Sequence, residues 1–225
     1  MGATGIAQQI AAFNAANPGA LVGAQKLTLL WGGPNDFFLG FARAQAGVPV
    51  DFVALTTEAV FNMASNIVAL ATAGATNILV PNMPDLGATP FAAKLGAAFA
   101  AQATALSDGF NFGLAQAIAK AGTDLGPLGV TLYEFDTAAY LRSVIANPPT
   151  SITNVTQACT DNIPDLLAGC TGYLFFDEVH PTTFAHSLLA EQFYAAAVPE
   201  PGTWLLLLAG LGLLGMVVRG RAAPV

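Results

Sequence analysis

Leu27-Thr28-Leu29-Leu30-Trp31-Gly32-Gly33-Pro34-Asn35-Asp36 is a short apolar run that stops at two glycines, a proline and two polar residues. Such a run, closed abruptly by turn formers, reads as a buried β-strand followed by a turn. Two further runs have the same form, Asn77-Ile78-Leu79-Val80 and Val130-Thr131-Leu132-Tyr133-Glu134-Phe135. Helical stretches lie between and around them, at residues 6–16, 56–72, 90–121, 137–146 and 182–196. Asn17-Pro18-Gly19, Gly74 and Pro148-Pro149 stop three of them, and a bend is expected near Asp108-Gly109. Strands alternating with helices predict an α/β fold, a parallel sheet covered on both faces. Residues 147–176 read as mostly irregular, and no internal repeat is visible.

Apolar residues make up 54% of the 225 residues and charged residues 9%, enough to bury a core and too apolar for disorder. Residues 1–202 hold five basic and fourteen acidic side chains, a formal charge of −9. That balance argues against a nucleic-acid partner, because phosphate binding needs clustered Lys and Arg. Cys159 and Cys170 are the two cysteines. In an exported protein they read as a disulfide closing a short loop, and without a nearby histidine pair they make a poor zinc site.

The C-terminus has a different grammar. Pro199, Glu200 and Pro201 lead into an uncharged apolar run that opens at Trp204 and closes at Val218, followed by Arg219 and Arg221. A polar Pro motif, a hydrophobic segment and a basic stop form an address rather than part of a fold. The tail, residues 198–225, resembles the PEP-CTERM sorting signal of Gram-negative bacteria that make extracellular polysaccharide. The resemblance implies export, transient anchoring in the inner membrane by a hydrophobic helix, and processing by an exosortase-type enzyme. The run of about 15 residues is shorter than the roughly 17–25 that span a bilayer comfortably, so a plain anchor would need a thin membrane and snorkelling arginines. Either way the positive-inside rule leaves Arg219 and Arg221 in the cytoplasm and exports the body. The first six residues show neither the basic nor the apolar region of an export signal, so the N-terminus reads as incomplete.

In open α/β sheets chemistry sits beyond the carboxyl ends of the strands. There the first strand is followed by Gly33-Pro34-Asn35-Asp36, and Asp177-Glu178-Val179-His180-Pro181 opens the last helix. Over residues 1–197, read as one domain, the chain resembles the SGNH (GDSL) ester hydrolases. Gly33-Pro34-Asn35-Asp36 matches the family's Gly-x-Asn-Asp block and Asp177-x-x-His180-Pro181 its Asp-x-x-His block. Pro81-Asn82-Met83-Pro84-Asp85-Leu86-Gly87-Ala88-Thr89-Pro90 looks like a loop of the lipase-like branch.

The resemblance implies a three-layer α/β/α fold of flavodoxin-like type and a serine esterase, acylhydrolase or lipase without metal or cofactor. His180 would be the base, since an imidazole titrates near neutrality. Asp177 would orient it, and Asn35 would donate to the oxyanion, a contact worth ~3 kcal/mol. Gly33 and Asp36 would support that turn. His186 reads as structural, Glu178 as solvated, and the long helix at 90–121 as sheet-covering core. The substrate would be an ester of a lipid or of an acylated polysaccharide.

Two elements of the family pattern are missing, the nucleophile block and the block that supplies a glycine N–H to the oxyanion hole. The family's nucleophile is the serine of a Gly-Asp-Ser block at the end of the first strand, and none of Ser65, Ser107, Ser143, Ser151 or Ser187 follows Gly-Asp. The expected reading is a domain lacking its first strands and nucleophile block, with residues 27–31 left as an apolar sheet edge. A second expectation is a surface or matrix protein that keeps the esterase fold without turnover.

Overall fold

The computed structural model describes residues 5–23, 26–198 and 211. Pro199, Glu200, Pro201, Trp204, Val218, Arg219 and Arg221, and with them the expected hydrophobic helix, lie outside the described residues.

Three parallel strands form the main sheet in the order β1 (Thr28–Leu29), β2 (Asn77–Pro81), β3 (Thr131–Phe135). Thr28 pairs with Ile78, and Ile78 in turn with Leu132. Because side chains alternate across a strand, β2 serves two cores. Ile78 and Val80 enter the larger one, with Phe37, Met63, Ile67, Phe110 and Leu114. Leu79 enters the other, with Leu189, Phe193 and Trp31.

Four helices precede β2 or follow it directly: α1 (Ile6–Ala16), α2 (Pro34–Gln45), α3 (Phe52–Thr72) and α4 (Pro90–Leu95). The long α5 (Ala97–Leu125) then covers the same face as α3, and α6 (Thr137–Ala146) follows β3. α3 is apolar and long enough to cross a membrane by length and composition alone. Its Ala59, Met63, Ile67 and Leu70 nevertheless form a buried stripe in the larger core, as in a sheet-covering helix.

Several boundaries differ from the sequence reading. α2 is an additional helix. Its proline at the first position suits a helix start, and Phe37 and Phe41 bury one face. α3 begins four residues earlier than expected because Asp51 caps it, accepting from Val53 and Ala54 N–H. The long helix is two, broken at Gly96 (φ 95°), and the second runs without interruption through Asp108-Gly109. Residues 147–176 are not mostly irregular. They hold β4 (Asn154–Ala158), α7 (Ile163–Leu167) and β5 (Tyr173–Phe175), with β4 and β5 paired in parallel as a second small sheet. The Cys159–Cys170 disulfide is formed and closes the segment that carries α7. α8 (Thr183–Ala197) follows, capped by the Thr182 side chain, and packs Leu189 and Phe193 onto the main sheet.

Candidate active site

The site begins where β5 ends. Phe176 N–H donates to His180 O at 2.8 Å, and Thr182 N–H to Leu174 O at 2.9 Å. Residues 176–181 therefore form a tight turn pinned to the strand on both sides. Within it, Asp177 Oδ1 accepts the backbone N–H groups of Val179 (2.9 Å) and His180 (2.7 Å). Its Oδ2 lies 2.8 Å from His180 Nδ1. The carboxylate thus folds the turn and orients the ring that the turn carries. Burial opposes its ionisation, but the two N–H donors and the His180 ring outweigh burial and hold Asp177 below the ordinary 3.8. The His180 side chain is 69% exposed. With Nδ1 engaged, Nε2 is the ring nitrogen left for a reacting group, and among the described residues no partner occupies it.

Gly33 begins the second half of the site. It is the N-cap of α2 at φ 111°, a region that favours glycine, and a Cβ there would stand 2.8 Å from Phe110 Cζ. That close approach seats the start of α2 on the core. Asn35, in the first turn, is exposed, with its side chain available beyond the end of β1. Asp36 also lies in the first turn, where an acid suits the helix dipole. Partial burial and then the Glu58 charge raise its pKa.

Four contacts tie these parts of the molecule together. Phe38 of α2 meets Phe91 edge-on at 5.7 Å, and Phe91 N–H donates to Glu178 O at 2.9 Å. Trp31, at the end of β1, packs on Phe193 of α8 at 5.6 Å and donates its Nε1–H to Asn82 O at 3.1 Å. Asn35 makes no hydrogen bond to Asp177 or His180. Phe91, Phe176 and Thr182 were not singled out by the sequence. Thr182 carried a signal, a capping residue directly before an apolar helix, and its Oγ1 also donates to Tyr173 O.

The remaining candidates take structural parts. Glu178 pairs with Lys94 at 2.9 Å, and His186 is exposed on α8. The loop after β2 is anchored by Asp85, which accepts from Arg142 Nε (2.7 Å), Thr104 Oγ1 (2.7 Å) and Gly87 N–H (3.0 Å). Ser107 is buried, accepting from Leu86 N–H, while Ser143 and Ser187 donate to helical carbonyls of Tyr140 and Phe184. None of the described serines hydrogen-bonds His180. Among the described residues no three His, Cys, Asp or Glu side chains gather as a metal site would require.

This geometry, an Asp–His pair on a turn before a helix and an Asn at the end of a parallel strand, meets the family comparison. The model of the PEP-CTERM protein-sorting motif matches residues 197–222, so the tail is a sorting signal that implies export to the cell envelope. Comparison with curated proteins gives no match. The model of the GDSL-like lipase/acylhydrolase family matches residues 2–193, nearly the whole body, and the chain belongs to that family.

Proposed function

We propose that this chain supplies the base side of an exported serine ester hydrolase. His180 takes the proton of a serine hydroxyl through Nε2 and returns it to the leaving alcohol. Asp177 fixes the tautomer and stabilises the imidazolium, and Asn35 donates to the oxyanion of the tetrahedral intermediate. The nucleophilic serine belongs to a Gly-Asp-Ser segment outside these 225 residues. The tail holds the body at the inner membrane, with Arg219 and Arg221 cytoplasmic, until an exosortase-type enzyme processes it. The observation that carries this reading is the 2.8 Å contact of Asp177 with His180 Nδ1, which leaves Nε2 facing outward.

The test joins the chain to the coding sequence in frame upstream and assays hydrolysis of a short-chain aryl ester. Hydrolysis is expected only when Gly-Asp-Ser is present, and His180→Ala should abolish it. Activity retained in that variant overturns the role of His180. The exclusion of every described serine from His180 favours a second reading, a surface protein with the esterase fold and no turnover. An upstream stop codon, with binding of envelope polysaccharide, would select it.

A further inference from the structure

The Asp177–His180 turn is held from outside by two neighbouring segments. The one-turn helix Cys159–Asp161 donates Thr160 N–H to Phe176 O at 3.0 Å, one residue before Asp177. The short helix α4 donates Phe91 N–H to Glu178 O at 2.9 Å, one residue after it. Lys94 lies three residues further along α4 and joins the two segments. Its Nζ stands 2.9 Å from Asp161 Oδ2 and 2.9 Å from Glu178 Oε1. The hydrogen bond to Asp161, then that to Glu178, raises the Lys94 pKa above its ordinary value, so the ammonium stays charged.

The charges around that ammonium define its part. The two carboxylate oxygens share one nitrogen, so they lie within about 6 Å of each other. Among the described residues no other Lys or Arg pairs with either. Without Lys94 the two acids repel each other. Asp161 sits two residues from Cys159 and inside the loop that the disulfide closes. Glu178 and its turn are therefore the side that gives way. An exposed ion pair adds little to stability, since water screens it and both side chains lose freedom. Lys94 and Glu178 are close to half exposed, at 45% and 47%, so the effect of the pair lies in where it holds the turn. α4 also carries Phe91, whose ring meets Phe38, on the helix of Asn35, at 5.7 Å. Lys94 thus fastens the turn of the base to the element that spaces it from the oxyanion donor.

We infer that Lys94 is a positioning residue for the hydrolysis, holding Glu178, and through it the Asp177–His180 turn, against α4 and the Cys159–Asp161 segment. It acts through Glu178 and not on the ester. The inference rests on the hydrolase reading above and adds a residue that the Asp-x-x-His pattern does not contain.

Two readouts test it. The first needs no serine. Hydrogen–deuterium exchange is followed by mass spectrometry in the full 225-residue chain in detergent micelles. In Lys94→Met, exchange should rise roughly fivefold or more in the peptides carrying Phe91 and Thr160, whose N–H groups bind the turn. Lys94 is exposed, so the variant should fold. The second readout is aryl-ester hydrolysis in protein that carries the serine segment. A reacting group displaced by an ångström can cost about 100-fold in rate. Lys94→Met and Glu178→Gln should each lower kcat roughly tenfold and leave KM unchanged. Lys94→Arg keeps the charge and should hold both readouts within about twofold of the parent. Unchanged exchange in Lys94→Met, a loss carried by KM, or an equal loss in Lys94→Arg overturns the inference. If exchange rises as expected while His180→Ala retains hydrolysis, the hydrolase reading fails and the hold on the turn stands. If hydrolysis needs His180 and Lys94→Met leaves kcat unchanged, the positioning role fails alone.

Discussion

Asp177 receives the backbone N–H of His180 at 2.7 Å on one oxygen and faces that residue's ring Nδ1 at 2.8 Å with the other. One carboxylate therefore fixes both where the histidine sits and how its ring is turned. Asp177→Asn keeps the shape and removes the charge. In protein that carries the serine segment, hydrolysis of an aryl ester should fall about 10⁴-fold, with KM little changed. A loss confined to KM would show that Asp177 serves binding.

The same carboxylate sets an acid limit. Its folded pKa lies below its ordinary 3.8, so its contribution to stability is fully present above that value. The contribution is lost as pH falls through the depressed folded value. The Tm difference between parent and Asp177→Asn should be constant between about pH 5 and 8 and shrink below 3.8. A difference that already shrinks near pH 6 would place its origin in another group.

Gly33 carries the other half of the site. Gly33→Ala places a Cβ against Phe110 in a left-handed conformation, two costs at one atom. Backbone strain of about 1–2 kcal/mol and overpacking of about 1–3 kcal/mol together predict a loss of roughly 2–5 kcal/mol by chemical denaturation. Adding Phe110→Leu should recover the packing share and leave the backbone share, which a double-mutant cycle separates. No recovery in the double variant would mean that strain alone is responsible.

The buried carboxylate of Asp85 predicts a fourth effect. Its side chain is 7% exposed while its partner Arg142 is 42% exposed, and Arg142 also binds Asp108 at 2.6 Å. Both aspartates hold the Arg142 pKa above its ordinary value. Removing the cation strands a negative charge in the loop after β2. Arg142→Met should cost about 2–3 kcal/mol, less than a fully buried pair because solvent reaches one side. Asp108→Asn, which removes the exposed partner only, should cost under about 1 kcal/mol. Equal losses would show that Asp108 carries the network.

The strand positions and the Asp–His pair were legible because their signals are local. Gly, Pro and Asn bracket each β-rich run, and a three-residue spacing brings Asp177 to His180 without help from the rest of the chain. α2 was hidden because Gly-Gly-Pro-Asn-Asp reads as a turn, although Phe37 and Phe41 already had helical spacing. β4 and β5 were hidden for a different reason. Tyr173–Phe175 is three residues long, too short for a period, and its pairing is set by the fold around the disulfide. The break at Gly96 falls on a glycine at φ 95°, inside a run whose alanines read as one helix. The link between Asn35 and His180 through Phe38, Phe91 and Glu178 crosses three elements and no local pattern encodes it.

β1 gives the last prediction. Its one described partner strand is β2, and Leu27 and Leu29 are 43% and 51% exposed. A strand with an apolar free side and unpaired backbone groups is a template for another strand. The body, residues 1–197, freed of the tail should therefore self-associate, and the associated fraction should rise with concentration in sedimentation velocity. Leu29→Lys places a charge on that edge without touching the buried Leu30. It should raise the monomer fraction several-fold and change stability by no more than about 0.5 kcal/mol. A parent sample that stays monomeric, or a lysine variant that associates as strongly, would mean that the edge is not the sticky surface. A synthetic strand carrying Gly-Asp-Ser that suppresses association would instead place its own backbone on β1, beside the end of the strand where Trp31 and Asn35 stand.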